Sequence, residues 1–209
     1  MRWVSFCLSV FLICAGTVSQ AQQTVDCTPQ QSGKIVQSLQ TAKGMVVGAT
    51  GSIGDTETFA RWFGAFSRPR AEVVRRNFKQ LVVAMRSGAI AVVCSDNQTD
   101  GCTDGEYAWV YPGQAYRVVV CPSFFDLPVI TLLQPGSLAS ENGTRSGTMI
   151  HEISHFTRVA STEDHCYSRG ECREMAQDDP GKAIENADSY QYFAEDARFF
   201  DRQVLLAKP

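Results

Sequence analysis

His151-Glu152-Ile153-Ser154-His155 places two histidines four residues apart, with a glutamate directly after the first of them. On an α-helix, positions i and i+4 share one face, so both imidazoles can reach a single metal ion. Glu152 stands on the side where a metal-bound water would lie, and its carboxylate can take and return a proton. The pattern therefore predicts a helix that carries a zinc site, with His151 and His155 as ligands and Glu152 as general base.

The residues around this motif favour a metal site over a solvated helix face. All three histidines of the chain lie between positions 151 and 165. Met149, Ile150 and Ile153 are apolar, which is typical of a partly buried active-site helix. The bare five-residue pattern occurs by chance in many helices, but this context indicates one zinc ion per chain.

The spacing after the motif leaves the third ligand open. A catalytic zinc ion needs a third protein ligand and one open position. The metzincin pattern requires a histidine six residues after His155, but Ser161 stands there, so that class is excluded. A thermolysin-like arrangement requires a glutamate about twenty residues further on. Three candidates remain: Glu174 with Asp178 behind it, His165, and Asp164.

The N-terminus has the features of a secretory signal peptide. Arg2 gives a positive n-region, residues 4–13 form an apolar h-region, and Ser19-Gln20-Ala21 supplies small residues at the cleavage site. The apolar run is shorter than the ~20 residues that span a bilayer, so no membrane anchor is expected after cleavage. We predict a signal peptide at residues 1–21, a mature domain at residues 22–209, and secretion to the extracellular space.

The composition is that of one globular domain, with 44% hydrophobic and 20% charged residues among 209. The formal net charge is −3 at pH 7 and the chain contains no basic run. Both features argue against nucleic acid or an anionic membrane surface as the main partner. We expect a monomer whose partners are protein or peptide substrates.

The cysteines indicate disulfide bonds. Six of them lie beyond residue 21, namely Cys27, Cys94, Cys102, Cys121, Cys166 and Cys172. An even number in an exported chain favours disulfides, and no C-x2-C spacing typical of a zinc site is present. Six cysteines permit 15 pairings, so their connectivity is not given by the sequence alone.

The hydrophobic pattern predicts a single α+β domain. Apolar side chains recur at helical spacing in residues 29–47, 70–87 and 182–206. Short β-branched and aromatic runs at residues 89–94, 107–111 and 116–121 predict a small antiparallel sheet. The predicted order is N-terminal helices, sheet, active-site helix and C-terminal helix.

The segment that follows the motif resembles a known family. Ser161-Thr162-Glu163-Asp164-His165-Cys166-Tyr167-Ser168 is similar to the G-T-x-D-x-x-Y-G motif that follows H-E-x-x-H in the aspzincins, the deuterolysin-type secreted zinc endopeptidases. Ser161 and Ser168 stand where that motif has glycine. The resemblance is strongest to the peptidyl-Lys metalloendopeptidase branch. It covers nearly all of the mature chain, including Trp62-Phe63-Gly64 and Asn186-Ala187-Asp188.

This resemblance implies a zincin-like fold and a zinc-dependent endopeptidase activity. It implies that Asp164 is the third zinc ligand and that Tyr167 donates a hydrogen bond to the oxyanion of the tetrahedral intermediate. It also implies the disulfides Cys27–Cys94 and Cys102–Cys121, which leaves Cys166 to pair with Cys172 beside the ligand loop.

The branch further implies a pocket for the residue that follows the cleaved bond. In its lysine-specific members an aspartate and, three residues later, a glutamate line this pocket, and the matching positions here hold Asp188 and Gln191. One carboxylate can still pair with a lysine ammonium, but a neutral amide adds less charge complementarity. We therefore expect cleavage mainly before lysine, with incomplete discrimination against other residues.

Two other interpretations stay open at the level of sequence. The first is a thermolysin-like zinc peptidase in which Glu174 is the third ligand. The second is a secreted zinc-binding effector without catalytic activity. The intact Glu152 argues against the second, because a zinc binder without activity has no use for a general base at that position.

Overall fold

The computed structural model describes residues 23–96, 101–103 and 105–201 of the chain. The signal peptide predicted at residues 1–21 lies outside these residues, and so does the predicted C-terminal helix from residue 202 onward. Within the described ranges, no helix combines the length and the apolar character needed to cross a lipid bilayer.

Helices make up most of the described chain, and a small sheet lies among them, which confirms the predicted α+β class. The N-terminal part contains β1 (Gln23–Val25), α1 (Pro29–Thr50), α2 (Glu57–Phe63), α3 (Arg68–Arg86), β2 (Ala91–Cys94), β3 (Ala108–Val110) and β4 (Arg117–Val120). Two 3₁₀ turns, Pro122–Asp126 and Ile130–Leu132, lead to α4 (Leu138–Glu141), α5 (Arg145–His155), α6 (Arg169–Asp178), α7 (Pro180–Ala183) and α8 (Ala187–Glu195), which continues into a π-helical turn at Asp196–Phe200.

α1 and α3 form because their first turns are capped and one face of each is apolar. Thr28 and Gln31 make a reciprocal capping box at the start of α1, where Pro29 is the first helical residue. The Ser67 side chain accepts a hydrogen bond from the Arg70 amide at the start of α3. The apolar faces of both helices pack against each other and against α5. The helix with the two histidines is therefore enclosed by the core.

The sheet is mixed, which corrects the prediction of an antiparallel sheet. Its order is β1-β2-β4-β3, with β1 and β4 both parallel to β2, while β3 and β4 pair antiparallel. An alternating pattern shows which residues face the core, but it does not give the direction of the neighbouring strand. β1 and β2 are joined through three helices, and a crossover of that length permits parallel pairing. β3 is an edge strand.

The C-terminal helix predicted at residues 182–206 is interrupted. α7 ends at Ala183, and residues 184–186 form a turn and an isolated β-bridge before α8 begins. Asn186 is extended, with φ −98° and ψ 130°. Apolar residues keep their helical spacing across this break, so the pattern does not reveal it. β1 and α6 were not predicted, because β1 has three residues and α6 is largely polar.

Aromatic side chains from α2, α3 and α8 form the centre of the core. Phe59, Phe63, Phe78, Tyr190 and Phe193 are buried, and their neighbouring rings lie 5.2–6.4 Å apart between centroids. Pairs at this separation stabilise a core beyond the burial of their area. This packing fixes α8, which also contacts α5 along its length.

Within the described residues, three disulfides fasten the less regular segments. Cys27–Cys94 joins the segment before α1 to β2, Cys102–Cys121 joins two loops beside β4, and Cys166–Cys172 joins the loop before α6 to α6 itself. The first two are the pairs that the family resemblance implies, and the third is the pair that this leaves. The third bridge closes a loop of only six residues in sequence separation, so its contribution through chain entropy is small.

Candidate metal centre and active site

α5 presents both histidines of the motif on one face. The helix starts after Thr144, whose side-chain oxygen accepts a 3.0 Å hydrogen bond from the Gly147 amide. It ends at His155, because Phe156 has an extended backbone with ψ 132°. The imidazole rings of His151 and His155 lie 4.8 Å apart between centroids. Each ring can therefore direct a nitrogen atom toward the same point.

Asp164 approaches the two histidines from the loop that follows α5. Its Oδ1 atom lies 3.2 Å from His151 Nε2 and 3.4 Å from His155 Nε2. Among the described residues, these three form the group whose ligand atoms could hold one cation, all within 4.8 Å of one another. The other candidate ligands are not part of it: His165 is exposed in the loop, and Glu174 is exposed on α6.

The donor set and its outer hydrogen bonds fit a zinc ion. His155 Nδ1 lies 2.7 Å from the Thr162 carbonyl oxygen, which can only accept, so this nitrogen carries a proton. His151 Nδ1 lies 2.6 Å from Asp188 Oδ1 in an equivalent arrangement. Both Nε2 atoms therefore face Asp164 and offer a lone pair there when the rings are neutral. Two imidazoles with one carboxylate are a ligand set that zinc accepts.

The carboxylates around His151 make this site attract positive charge. Burial alone would lower the pKa of His151, but its hydrogen bonds to Asp164 and Asp188 raise the pKa well above the ordinary value. Burial would raise the pKa of Asp164, but the hydrogen bond and charge of His151 lower it. Zinc would replace the proton on His151 Nε2, because metal ligands bind in their deprotonated form.

Glu152 is 5% exposed and lines the same cleft as the three candidate ligands. Burial raises the pKa of Glu152 to about 7, and the charge of His151 opposes this rise. A carboxylate with a pKa near neutral can both accept a proton and return it. Glu152 could therefore exchange a proton with a group in the cleft near neutral pH.

Tyr167 lies at the rim of this cleft, where 59% of its surface is exposed. Desolvation, the charge of Asp164 and a hydrogen bond to Asp164 raise the pKa of the Tyr167 phenol to about 12. The hydroxyl group stays protonated at neutral pH. It can therefore donate a hydrogen bond to a substrate oxygen on which negative charge develops.

The cleft has a volume of about 850 Å³ and is lined by residues of β3, α5, the ligand loop and α8. Five carboxylates line it, from Glu106, Glu152, Glu163, Asp164 and Asp188, and none of the described lining residues is lysine or arginine. A cleft of this size can hold a peptide segment. Its charge favours segments with a basic side chain.

The two residues assigned to a specificity pocket both lie in this cleft. Asp188 is 6% exposed, and its Oδ1 atom is hydrogen bonded to His151 Nδ1. Its negative charge therefore also acts on the candidate metal site. Gln191 is 3% exposed and packs against Gly143 and Gly147, where a Cβ atom would collide with its side chain. The bond between Asp188 and His151 was not anticipated from the sequence.

Ser161 and Ser168 have the backbone conformation that favours glycine. Their φ angles are 50° and 68°, and Ser168 has ψ 155°, a combination found almost only in glycine. Such a residue costs about 1–3 kcal/mol. The Ser168 side chain offsets part of this cost, because it accepts a hydrogen bond from the Glu171 amide at the start of α6. The loop therefore keeps a glycine-like course without glycine.

Sequence reasoning also missed Arg169, which follows the ligand loop. Its guanidinium group is buried, forms salt bridges with Glu195 and Asp196, and lies 4.6 Å from the centroid of the Tyr192 ring. These contacts connect the end of the loop that carries Asp164 to the end of α8. Its acidic partners are 26 and 27 residues away, so no local pattern marks this contact.

Known proteins similar to this chain include several peptidases. A family model described as lysine-specific metallo-endopeptidase, that of the aspzincins, matches residues 49–195. The chain is 32% identical over 173 residues to an extracellular protease of Aeromonas hydrophila, and the alignment covers 81% of this chain and 45% of that protein. It is 35% identical over 141 residues to a peptidyl-Lys metalloendopeptidase of Pleurotus ostreatus, with 67% of this chain and 74% of that protein covered.

The fold is similar to that of a solved zinc peptidase from Grifola frondosa. The TM-score is 0.69 at 25% sequence identity, and the match covers 81% of this chain and 97% of that chain. The chain thus spans nearly all of a solved zinc peptidase, but less than half the length of the Aeromonas hydrophila protein.

Proposed function

The chain belongs to the aspzincin family, and from this premise we propose that it is a secreted zinc-dependent endopeptidase that prefers lysine after the cleaved bond. The observation that carries this proposal is the convergence of His151 Nε2, His155 Nε2 and Asp164 Oδ1 beside the buried carboxylate of Glu152. His151, His155 and Asp164 are the proposed ligands of one zinc ion per chain.

The residues around the proposed zinc site then have distinct tasks. When bound, zinc would polarise the scissile carbonyl group and lower the pKa of a water molecule. Glu152 accepts a proton from that water as its oxygen attacks the carbonyl carbon, and delivers the proton to the leaving nitrogen as the carbon–nitrogen bond breaks. Tyr167 donates a hydrogen bond to the carbonyl oxygen while negative charge accumulates there. Asp188 and Thr162 hold the two imidazole rings in orientation.

Two alternatives receive less support. A thermolysin-like site would need Glu174 near the two histidines, but Glu174 lies exposed on α6. A zinc-binding effector without activity would need neither a buried general base nor a phenol at the rim of the cleft. Glu152 and Tyr167 both line the cleft, which favours catalysis.

Secretion and the nature of the substrates are part of the same proposal. A relative is described as an extracellular protease and others as peptidyl-Lys metalloendopeptidases, which supports protein or peptide substrates outside the cell. We also propose a signal peptide at residues 1–21 and a monomeric mature domain at residues 22–209, as expected for this function.

Zinc analysis and proteolysis assays test the proposed function. The purified protein should contain one zinc ion per chain and cleave a denatured protein. A strong chelator should abolish cleavage, because the water molecule then loses its activation, and added zinc should restore it. Undiminished cleavage by protein shown to be metal-free would contradict the proposal.

The preference for lysine rests on the acidic cleft and on Asp188. One carboxylate oxygen of Asp188 is hydrogen bonded to His151, and Gln191 is neutral. A lysine ammonium on a flexible stem can still reach a single carboxylate, whereas the planar guanidinium of arginine gains most from two aligned acceptors. We therefore infer cleavage mainly before lysine, with measurable cleavage before arginine and neutral residues.

Gln191→Glu should sharpen this preference. It adds a second carboxylate to the pocket, and a close charge pair of about 1.4 kcal/mol would raise the ratio of lysine to neutral cleavage about tenfold. Cleavage products of a proteome-derived peptide library, mapped by mass spectrometry, measure the ratio. Gln191→Met, which keeps the size of the side chain without the charge, is the matched control. Asp188→Ala should also reduce the preference, and it also removes the hydrogen bond to His151. An unchanged product map for Gln191→Glu would mean that position 191 does not face the lysine.

A further inference from the structure

The segment that carries Asp164 is fastened to the start of α8 on both sides of this residue. Before it, the Glu163 amide donates to the Glu185 carbonyl at 2.7 Å, and the Ala187 amide donates to the Glu163 carbonyl at 3.0 Å. After it, the amides of His165 and Cys166 both donate to a single side-chain oxygen, Asn186 Oδ1, at 2.8 and 3.1 Å. The backbone is therefore held on each side of the proposed ligand.

The carboxamide group of Asn186 is itself fixed. The residue is fully buried, and its Nδ2 atom donates to Ser189 Oγ at 3.4 Å and lies 3.7 Å from Cys172 Sγ. A flipped amide would turn its NH₂ group toward two N–H donors, which is unfavourable. Oδ1 is thus held facing the loop by contacts on the opposite side of the amide.

We propose that Asn186 is a positioning residue that sets the location of Asp164 in the metal site. This inference rests on the proposed function, in which Asp164 is a zinc ligand. The Asp164 side chain is 34% exposed, so packing alone does not fix it. Its distance to the two histidines depends on the course of residues 163–166, and Asn186 supplies two of the four hydrogen bonds that define this course.

The same short segment also orients the first histidine. Asp188, two residues after Asn186, is bonded to His151 Nδ1 at 2.6 Å. The start of α8 therefore sets both the third ligand, through Asn186, and the ring of the first ligand, through Asp188. Because Asn186 and Asp188 both belong to the start of α8, this segment contacts both the ring of His151 and the loop that carries Asp164.

Three variants separate the role of Asn186 Oδ1 from its other contacts. Asn186→Ala removes the acceptor for the amides of His165 and Cys166, and zinc affinity should fall about 10–100-fold, as for other residues that support a metal ligand. Asn186→Asp keeps an acceptor oxygen and should stay within a few-fold of the wild type. Ser189→Ala removes only the partner of Nδ2, and should also bind zinc nearly as the wild type does.

Competition with a chromophoric zinc chelator gives the dissociation constants. The visible absorption of the cobalt-substituted protein reports the number of ligands, and it should change in Asn186→Ala and be restored in Asn186→Asp. With saturating zinc, Asn186→Ala should lower kcat more than it changes KM, because Asp188 and Gln191 remain in place to bind substrate. A purely structural role would lower the melting temperature without altering the cobalt spectrum.

The results discriminate between this inference and the proposed function. If Asn186→Ala keeps wild-type zinc affinity and cobalt spectrum while Asp164→Ala loses both, Asn186 does not position the ligand. If Asp164→Ala itself keeps the wild-type zinc affinity, the assignment of Asp164 as a zinc ligand is wrong. Should Asn186→Ala fail to fold, hydrogen exchange of the wild type is decisive. The amides of His165 and Cys166 should be protected at least about 100-fold, and free exchange at both would overturn the inference.

Discussion

Glu152→Gln is expected to bind zinc as the wild type does and to lose about 10²–10⁴-fold in kcat. The substitution keeps the size of the side chain and leaves the nitrogen atoms of His151 and His155 untouched. It removes the carboxylate that accepts the proton of the attacking water, and a carboxamide cannot take over this task. Zinc content and steady-state kinetics on a lysine-containing peptide measure the two effects separately.

A second carboxylate of the same cleft gives the matched control. Glu163→Gln also removes one negative charge from the lining, but the Glu163 side chain is exposed and its backbone makes the contacts with α8. This variant should lose less than about tenfold in kcat, since only the field of the cleft changes. Equal losses in the two variants, or near wild-type turnover by Glu152→Gln, would show that Glu152 is not the base.

The sequence predicts the parts of the site that depend on local geometry. His151 and His155 are brought together by the pitch of α5 alone, and the apolar residues of the helix are visible in the sequence. The class of the fold is predictable for the same reason, because the periods of helices and strands are local properties.

The proposed third ligand, Asp164, was not predictable from spacing, because it lies on a loop rather than on a helix. Asp164, His165 and Glu174 lie close together in the sequence. The family resemblance, and not their spacing, favoured Asp164. Its place beside the histidines depends on Asn186, which is 22 residues later in the chain and belongs to another element. Contacts of this range leave no periodic signal.

Asp188 is a candidate for roles in two sites. The resemblance placed it in a specificity pocket, and the structure adds its hydrogen bond to His151, which is 37 residues away in the sequence.

The direction of the strands also depends on tertiary packing, since the parallel pairing of β1 with β2 follows from the path of three helices between them. Both features arise from tertiary packing.

Asp164→Ala is expected to weaken zinc binding by more than about 100-fold, which exceeds the usual effect of altering a residue behind a ligand. The substitution removes one of three ligand atoms and one of the two carboxylates that hydrogen bond to His151. Two imidazoles alone cannot complete the three-ligand set that a catalytic zinc ion requires. Chelator competition measures the loss, and activity at limiting zinc should fall with it.

Glu174→Ala is the control that separates the two ligand assignments. Glu174 is exposed on α6, outside the group formed by His151, His155 and Asp164, and alanine is a better helix former than glutamate. Its zinc affinity and turnover should therefore equal those of the wild type. The reverse result, in which Glu174→Ala empties the site and Asp164→Ala does not, would require α6 to turn its exposed face toward α5. That movement would disturb the Cys166–Cys172 bridge and the salt bridges of Arg169, which supports the loop, rather than α6, as the source of the proposed third ligand.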